Sequence, residues 1–403
     1  MDADCRAGAG GMIYLDYQAT TPLAPEVKAA MAGWVDHYAN PHSPSSEGRR
    51  AAAAIEVARG LVVKAISTHP FVSSEVETRL AGGPSTSLGT NGNSGRLIFT
   101  SGATEALNWA IKGRFERSSR RKLVTIATEH AAVLDCAEWF EGQGIEVVRL
   151  PVGADGLVDL AAAKAAINDD TALVAAMLVN NEIGVIQPVA ALARMAHDAG
   201  ALMLCDAVQG FGRMAVPAGP DMIAVSAHKI HGPKGVGALW LREGVEPAPL
   251  LHGGGQEQGL RSGTLSPALC VGFGVAAKLL VERRDIDAAH VERLWQAART
   301  ALASEWTLNG SAEARYHGNL NLRREGLDGA RLLSDCRDIG FSLGSACASG
   351  SGRPSHVLRA LGLSDREARS SIRLGFGRYT DEAELFAACR RIDETAKAQA
   401  VIA

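Results

Sequence analysis

SAHKIHGPKG, residues Ser226 to Gly235, decides how the rest of the chain is read. Met222 to Val225, just ahead of it, is a short apolar run such as a buried strand supplies, and Gly232-Pro233 ends the segment sharply. Lys229 therefore stands where a strand gives way to a turn, beside the polar side chains of Ser226 and His228. A lysine held for covalent chemistry with an aldehyde needs that setting, because burial strips its charge and the turn fixes its direction. An ordinary loop lysine fits there too, so the surrounding sequence has to separate the two readings.

The same succession of strand and polar turn recurs on either side. Leu97 to Thr100 reads as a strand, and Ser101-Gly102-Ala103-Thr104-Glu105 opens an amphipathic helix. Free N–H groups there, with the Thr104 hydroxyl, would face an anion; a plain helix cap gives the same pattern. Ala201 to Cys205 runs into Asp206, Ala172 to Val179 leads to Asn181, and Leu123 to Ala127 precedes His130. Strands alternating with helices from Leu97 to Leu241 predict an α/β fold with a mostly parallel sheet covered on both faces. Ligands of such sheets gather at the carboxyl ends of the strands, where Lys229, Asp206, Asn181 and His130 all fall. Together they meet the needs of pyridoxal phosphate: a helix N-terminus and Ser226 for the phosphate, Asp206 to keep the pyridine nitrogen protonated, Gln209 for the phenolic oxygen, and His130 over the ring. Taken singly, a capping Asp, a turn Asn and a structural His are the plain alternatives.

GSACASGSGRPSHVLRALG, Gly344 to Gly362, sets Cys347 in a stretch that holds only Gly, Ser and Ala besides it up to Gly352, before a helix near Ser355. That composition predicts a mobile loop carrying an exposed thiol. Cys136, Cys205, Cys270, Cys336 and Cys389 have apolar or helical neighbours and read as buried or inert, with Cys5 in a disordered tail.

With these residues in view, the chain resembles the cysteine desulfurases of the NifS/IscS type, a branch of the class V, fold type I pyridoxal phosphate enzymes. The resemblance runs from Ile13 to about Ile392 through YLDYQATTPLAPEV, FTSGATEALNWAIKG, ATEHAAVLD, VNNEIGVIQP, CDAVQGFG, SAHKIHGPKGVGALW, HGGGQEQGLRSGT, the Cys347 loop and SSIRLGFGRYT. It implies Lys229 as the Schiff-base lysine, Asp206 as the pyridinium partner, Gln209 as the phenolate contact and His130 as the stacking residue. Ala103, Thr104, Ser226 and His228 would surround the phosphate, and Asn181 would lie near the ring's substituents. Thr264 would reach the phosphate in a neighbouring subunit, which implies a homodimer. Arg373, helped by Asn40, would hold the carboxylate of L-cysteine in its planar fork. Lys229, with His228 near, would move the Cα proton. Cys347 would take the sulfur as a persulfide, leaving L-alanine, and carry it to an acceptor such as an iron–sulfur scaffold protein. A selenocysteine lyase or another class V aminotransferase-like enzyme is the alternative, and a catalytically dead sulfur-protein regulator a third reading; Cys347 argues against a transaminase, and intact Lys229 and Asp206 argue against the regulator.

The 403 residues are enough for a large core or two, and a net charge of −3 without a basic patch gives no direct sign of nucleic acid. No apolar run reaches membrane length, and no metal-ligating set is visible. Seven cysteines without paired spacing point to a reducing compartment, and residues 1–11 lack a signal core, so the cytoplasm is expected. The expected division is a disordered tail over 1–11, a segment 12–24 joining the small domain, a large cofactor-binding domain over 25–284, and a smaller α/β C-terminal domain over 285–403 carrying Cys347. Within the large domain, 67–95 reads as an inserted loop, since 82–95 is almost all turn-forming residues. The resemblance also breaks at Ser45 and Ser46, where relatives carry a histidine. Only a short stretch follows Ile392, which leaves the scaffold partner open and favours a NifS-like or pathway-specific role.

Overall fold

The computed structural model describes residues 11–67, 95–344 and 354–400. Nearly all of the expected inserted loop, and Cys347 with its neighbours, lie outside the described residues. The remaining strand and helix expectations can be followed element by element.

A seven-stranded sheet forms the centre. Its strands are β2 (Gly95–Thr100), β3 (Lys122–Ile126), β4 (Glu146–Leu150), β5 (Thr171–Met177), β6 (Leu202–Asp206), β7 (Met222–Ser226) and β8 (Gly237–Arg242), in the spatial order β2-β8-β7-β6-β5-β3-β4. Every pairing is parallel except the two made by β8, which runs against both β7 and β2. β2 therefore points the same way as the parallel strands, and the carboxyl ends of β2, β3, β5, β6 and β7 share one edge.

Side chains alternate between two apolar layers, as a pleated strand buried on both faces requires. Leu97 and Phe99 of β2, Val174 and Ala176 of β5, and Ile223 and Val225 of β7 enter one layer. Ile98, Leu173, Ala175, Met222 and Ala224 enter the other. Helices α2 (Ser46–Ser67) and α6 (Val189–Asp198), with the first half of α7 (Pro267–Ala301), cover the first layer through residues such as Ile55, Val62, Leu192 and Phe273. Helices α3 (Ala103–Glu116) and α4 (Ala131–Glu141) cover the second through Leu107, Trp109 and Val133.

A third core joins the two ends of the chain. Leu15, the far half of α7 (Leu294, Trp295, Ala298) and the C-terminal helix Glu382–Ala400 pack on an antiparallel sheet in which β10 (Asn319–Arg323) lies between β9 (Thr307–Leu308) and β12 (Ser371–Gly375). β1 (Ile13–Tyr14) pairs in parallel with β11 (Ile339–Gly340). The 35-residue α7 thus serves two cores, Phe273 and Leu280 in one and Leu294 and Trp295 in the other.

Candidate active site

At the shared edge of strand ends lies a cavity of about 530 Å³. β2 ends in the Ser101-Gly102 turn and α3 starts at Ala103, so the first-turn N–H groups of α3 border the cavity. The turn sits hard against β8, since a Cβ on Gly237 would stand 2.7 Å from the Gly102 carbonyl carbon. Glu105 caps this turn, accepting from the Ser101 N–H at 2.7 Å, and is itself held by Arg261 at 2.7 and 3.0 Å. Burial raises the Glu105 pKa, but the Arg261 and Ser101 hydrogen bonds outweigh it and hold the carboxyl below its usual range.

Asp206 closes β6, 6% exposed, and accepts from the Val208 N–H at 2.9 Å. Burial raises its pKa, against the opposing pull of His130, the Val208 N–H and Lys229. Behind it is Glu129, fully buried, with one oxygen accepting from the Met177 N–H at 2.7 Å and the other without a partner. Burial, then the nearby Asp206, pushes Glu129 well above the carboxylate range and favours its neutral form. His130 caps α4, its Nδ1 accepting from the Ala132 N–H at 3.1 Å. In the neutral ring this leaves the proton on Nε2.

Lys229, in a single 3₁₀ turn after β7, is gripped by the N-terminal segment. Its Nζ donates to the Ala19 carbonyl at 2.7 Å and to that of Gln18. Gln209 also donates to the Gln18 carbonyl, at 2.9 Å, while its own side-chain oxygen accepts from Arg213. Burial, with the Arg213 and Arg373 cations next, pushes the Lys229 amine down to about 7, although Asp16 and Asp206 pull the other way. The His228 imidazole, with Nδ1 3.2 Å from the Thr20 hydroxyl, is pushed down to about 4 by burial and then by Lys229.

Arg373 projects from the middle of β12, 1% exposed. Its guanidinium reaches Asp16 at 2.7 Å and the Asn181 carbonyl at 3.0 Å, and Nε has no partner among the described residues. The fork is oriented by one group from the N-terminal segment and one from the loop after β5.

Of the residues named from sequence, Ala103, Thr104, His130, Asn181, Asp206, Gln209, Ser226, His228, Lys229 and Arg373 all line this cavity. Thr264 and Asn40 are exposed and are not among its described lining residues; the Asn40 side chain instead accepts from the His42 N–H at 2.9 Å. Cys347 lies outside the described residues. Sequence reasoning missed Gln18, Ala19, Thr20 and Lys234 on the wall, and Asp16 and Glu129 behind it. Two of these act at Lys229 through backbone carbonyls, which carry no residue-specific signal. The segment belongs to the YLDYQATTPLAPEV motif, but nothing in Gln18-Ala19-Thr20-Thr21 ties it to Lys229.

The sequence matches the family model described as aminotransferase class-V over residues 90–387. Cysteine desulfurase IscS of Rickettsia typhi is 40% identical over 401 residues, which cover 96% of this chain and 92% of that protein. Among solved structures, a NifS-like protein superposes with a TM-score of 0.82 at 31% identity, covering 96% of this chain and 99% of that one. SspA in complex with cysteine superposes with a TM-score of 0.76 at 32% identity, covering 91% and 99%.

Proposed function

The chain belongs to the class-V aminotransferase family, and on that footing we propose that it is a pyridoxal phosphate-dependent cysteine desulfurase of fold type I. It converts L-cysteine to L-alanine and passes the sulfur to a cysteine of its own as a persulfide, for iron–sulfur cluster assembly or another acceptor. The observation that carries this reading is a single cavity holding a lysine amine pushed down to about 7, a buried aspartate and a helix N-terminus.

The residues present fit the cofactor. The N-terminus of α3, with Ala103, Thr104, Ser226 and His228, would hold its phosphate. Asp206 is buried without a guanidinium or ammonium hydrogen bond of its own among the described residues, and would gain a partner in a protonated ring nitrogen. Gln209 would meet the phenolic oxygen, His130 would lie over the ring, and Asn181 would flank its substituents. Bound there, pyridoxal phosphate supplies an electron sink for the pair left when the Cα proton is removed.

The chain's own groups do the rest. Arg373, kept in orientation by Asp16, receives the substrate carboxylate. Lys229, largely neutral just above pH 7, can accept the Cα proton, and neutral His228 adds no competing charge beside it. The Cys347 thiolate attacks the substrate sulfur. An S–S bond forms, the C–S bond breaks with its electrons staying on carbon, and that carbon takes a proton on the way to alanine. We further propose a homodimer with Thr264 reaching the partner's phosphate, a cytoplasmic setting, and a division between domains near residue 284. The separate packing of the two halves of α7 supports that division. No described helix is long and apolar enough to cross a membrane.

The test is alanine formation from L-cysteine by purified holoprotein and by Lys229→Ala. The variant should make no alanine above background, and an unchanged rate would remove Lys229 from the chemistry.

A further inference from the structure

On the far side of Lys229 and Arg213 lies a second cavity, of about 340 Å³, within the usual size range of small-molecule sites. Its wall is apolar where Phe211, Leu280 and Val291 face it, and cationic where Arg213, Arg315 and Arg378 do. Buried guanidinium groups are ordinarily matched by carboxylates. Here the matching is incomplete. The Arg378 side chain is 3% exposed; it shares Asp287, at 2.7 Å, with Arg283, and its Nη1 has no partner among the described residues. Arg315 is 5% exposed and spends its donors on the backbone carbonyls of Ser311, Asn319 and Asn309. Among the described residues Arg213 hydrogen-bonds the Gln209 and Lys229 carbonyls and the Gln209 side-chain oxygen, with its plane over the Tyr316 ring at 5.1 Å. No carboxylate pairs with Arg213 or Arg315 among the described residues.

His231 shows how close these cations lie to one another. Its imidazole is 7% exposed and fixed by Pro22, with Nδ1 2.9 Å from that carbonyl. Burial, followed by Arg378 and then by Arg213 and Arg283, pushes it down to about 3. Several guanidinium groups thus act on one ring at the cavity wall, while the carboxylates that line the cavity among the described residues, Asp287 and Glu292, are already engaged by Arg378 and by His317 at 2.6 Å.

We propose that this second cavity is a binding site for a small carboxylate-bearing molecule with a short apolar chain. The carboxylate lies between Arg378 and Arg213, and the chain lies along Phe211, Leu280 and Val291. Because Arg213 also holds Gln209 and the Lys229 carbonyl, the ligand is felt in the first cavity through a direct hydrogen-bonded contact. The inference does not depend on which reaction the Lys229 site performs.

The probe is hexanoate, titrated into holoprotein by isothermal calorimetry, with hexanamide, of the same length and uncharged, as the control. Hexanoate should bind once per chain and hexanamide should not. Ala288→Trp, at the exposed mouth of the cavity on α7, blocks entry without touching the Lys229 site, and Arg378→Gln removes a cation. Arg378→Gln should weaken hexanoate at least about tenfold, the loss of one charge-assisted hydrogen bond, Ala288→Trp should weaken it at least as much by filling the mouth, and saturating L-alanine should leave the wild-type affinity unchanged. Absence of saturable hexanoate binding would overturn the proposal. So would equal affinity in wild type and both variants, or full competition by L-alanine, which would assign the carboxylate to the Arg373 side.

Discussion

Lys229 should titrate in the cofactor-free protein as no surface lysine does. An ordinary side chain near 10.4 is neutral in about one copy in 2,500 at pH 7, whereas a group at about 7 is neutral in about half. The amine should therefore react with a small acylating reagent about a thousandfold faster at pH 7 than the exposed lysines of the same chain, once intrinsic reactivity is allowed for. Quantifying the acylated Lys229 peptide by mass spectrometry from pH 5.5 to 10.5 gives the midpoint directly. Arg373→Met tests the cause. It removes a cation that disfavours the ammonium form and frees Asp16, which favours it, so both changes move the midpoint upward and labelling at pH 7 falls. The reasoning fails if wild-type Lys229 titrates like its exposed neighbours, or if Arg373→Met moves the midpoint down.

Three other outcomes follow from the same geometry. His228 and His231 stay neutral in the fold to about 4 and about 3, whereas an unfolded imidazole protonates near 6.5, so the unfolded chain binds more protons in that window. Stability should then fall as pH drops from 6.5 toward 4, and His231→Asn, which tolerates the backbone φ of 66°, should flatten the melting-temperature slope; an unchanged slope would count against the buried-imidazole account. Gly375→Ala would place a Cβ 1.7 Å from the Gln18 side-chain oxygen and 2.9 Å from the Tyr17 nitrogen, so denaturant midpoints should report a loss of about 1–3 kcal/mol, and no loss would mean the N-terminal segment is not fixed there. Cys347→Ser replaces a thiolate with a hydroxyl hardly ionised at neutral pH; L-cysteine should still change the visible spectrum of the holoprotein, but no alanine and no persulfide should form, and wild-type alanine release would make Cys347 a bystander.

The sheet and half of the site were legible for one physical reason. A strand buried on both faces must be an unbroken apolar run, so Ala201 to Cys205 and Met222 to Val225 announce themselves, and the polar residues that end them, Asp206 and Ser226, stand at the ligand edge. What stayed hidden was carried by contacts across the whole chain. The acceptors of the Lys229 amine are carbonyls more than two hundred positions away, and a carbonyl belongs to every residue alike. Arg373 can be read as a carboxylate ligand from its type, but its pairing with Asp16 depends on β1 and β12 meeting in one small core. The buried Glu129 sits within ATEHAAVLD, where an acid beside a histidine reads as an ordinary exposed charge until Met177 and Asp206 are seen beside it. Each of these residues sets charge or direction for one that the sequence did reveal. The candidate groups can be named from residue type and strand position, while the amine held at about 7 and the guanidinium held between Asp16 and the Asn181 carbonyl arise only once the N-terminal segment folds back over β7 and β12.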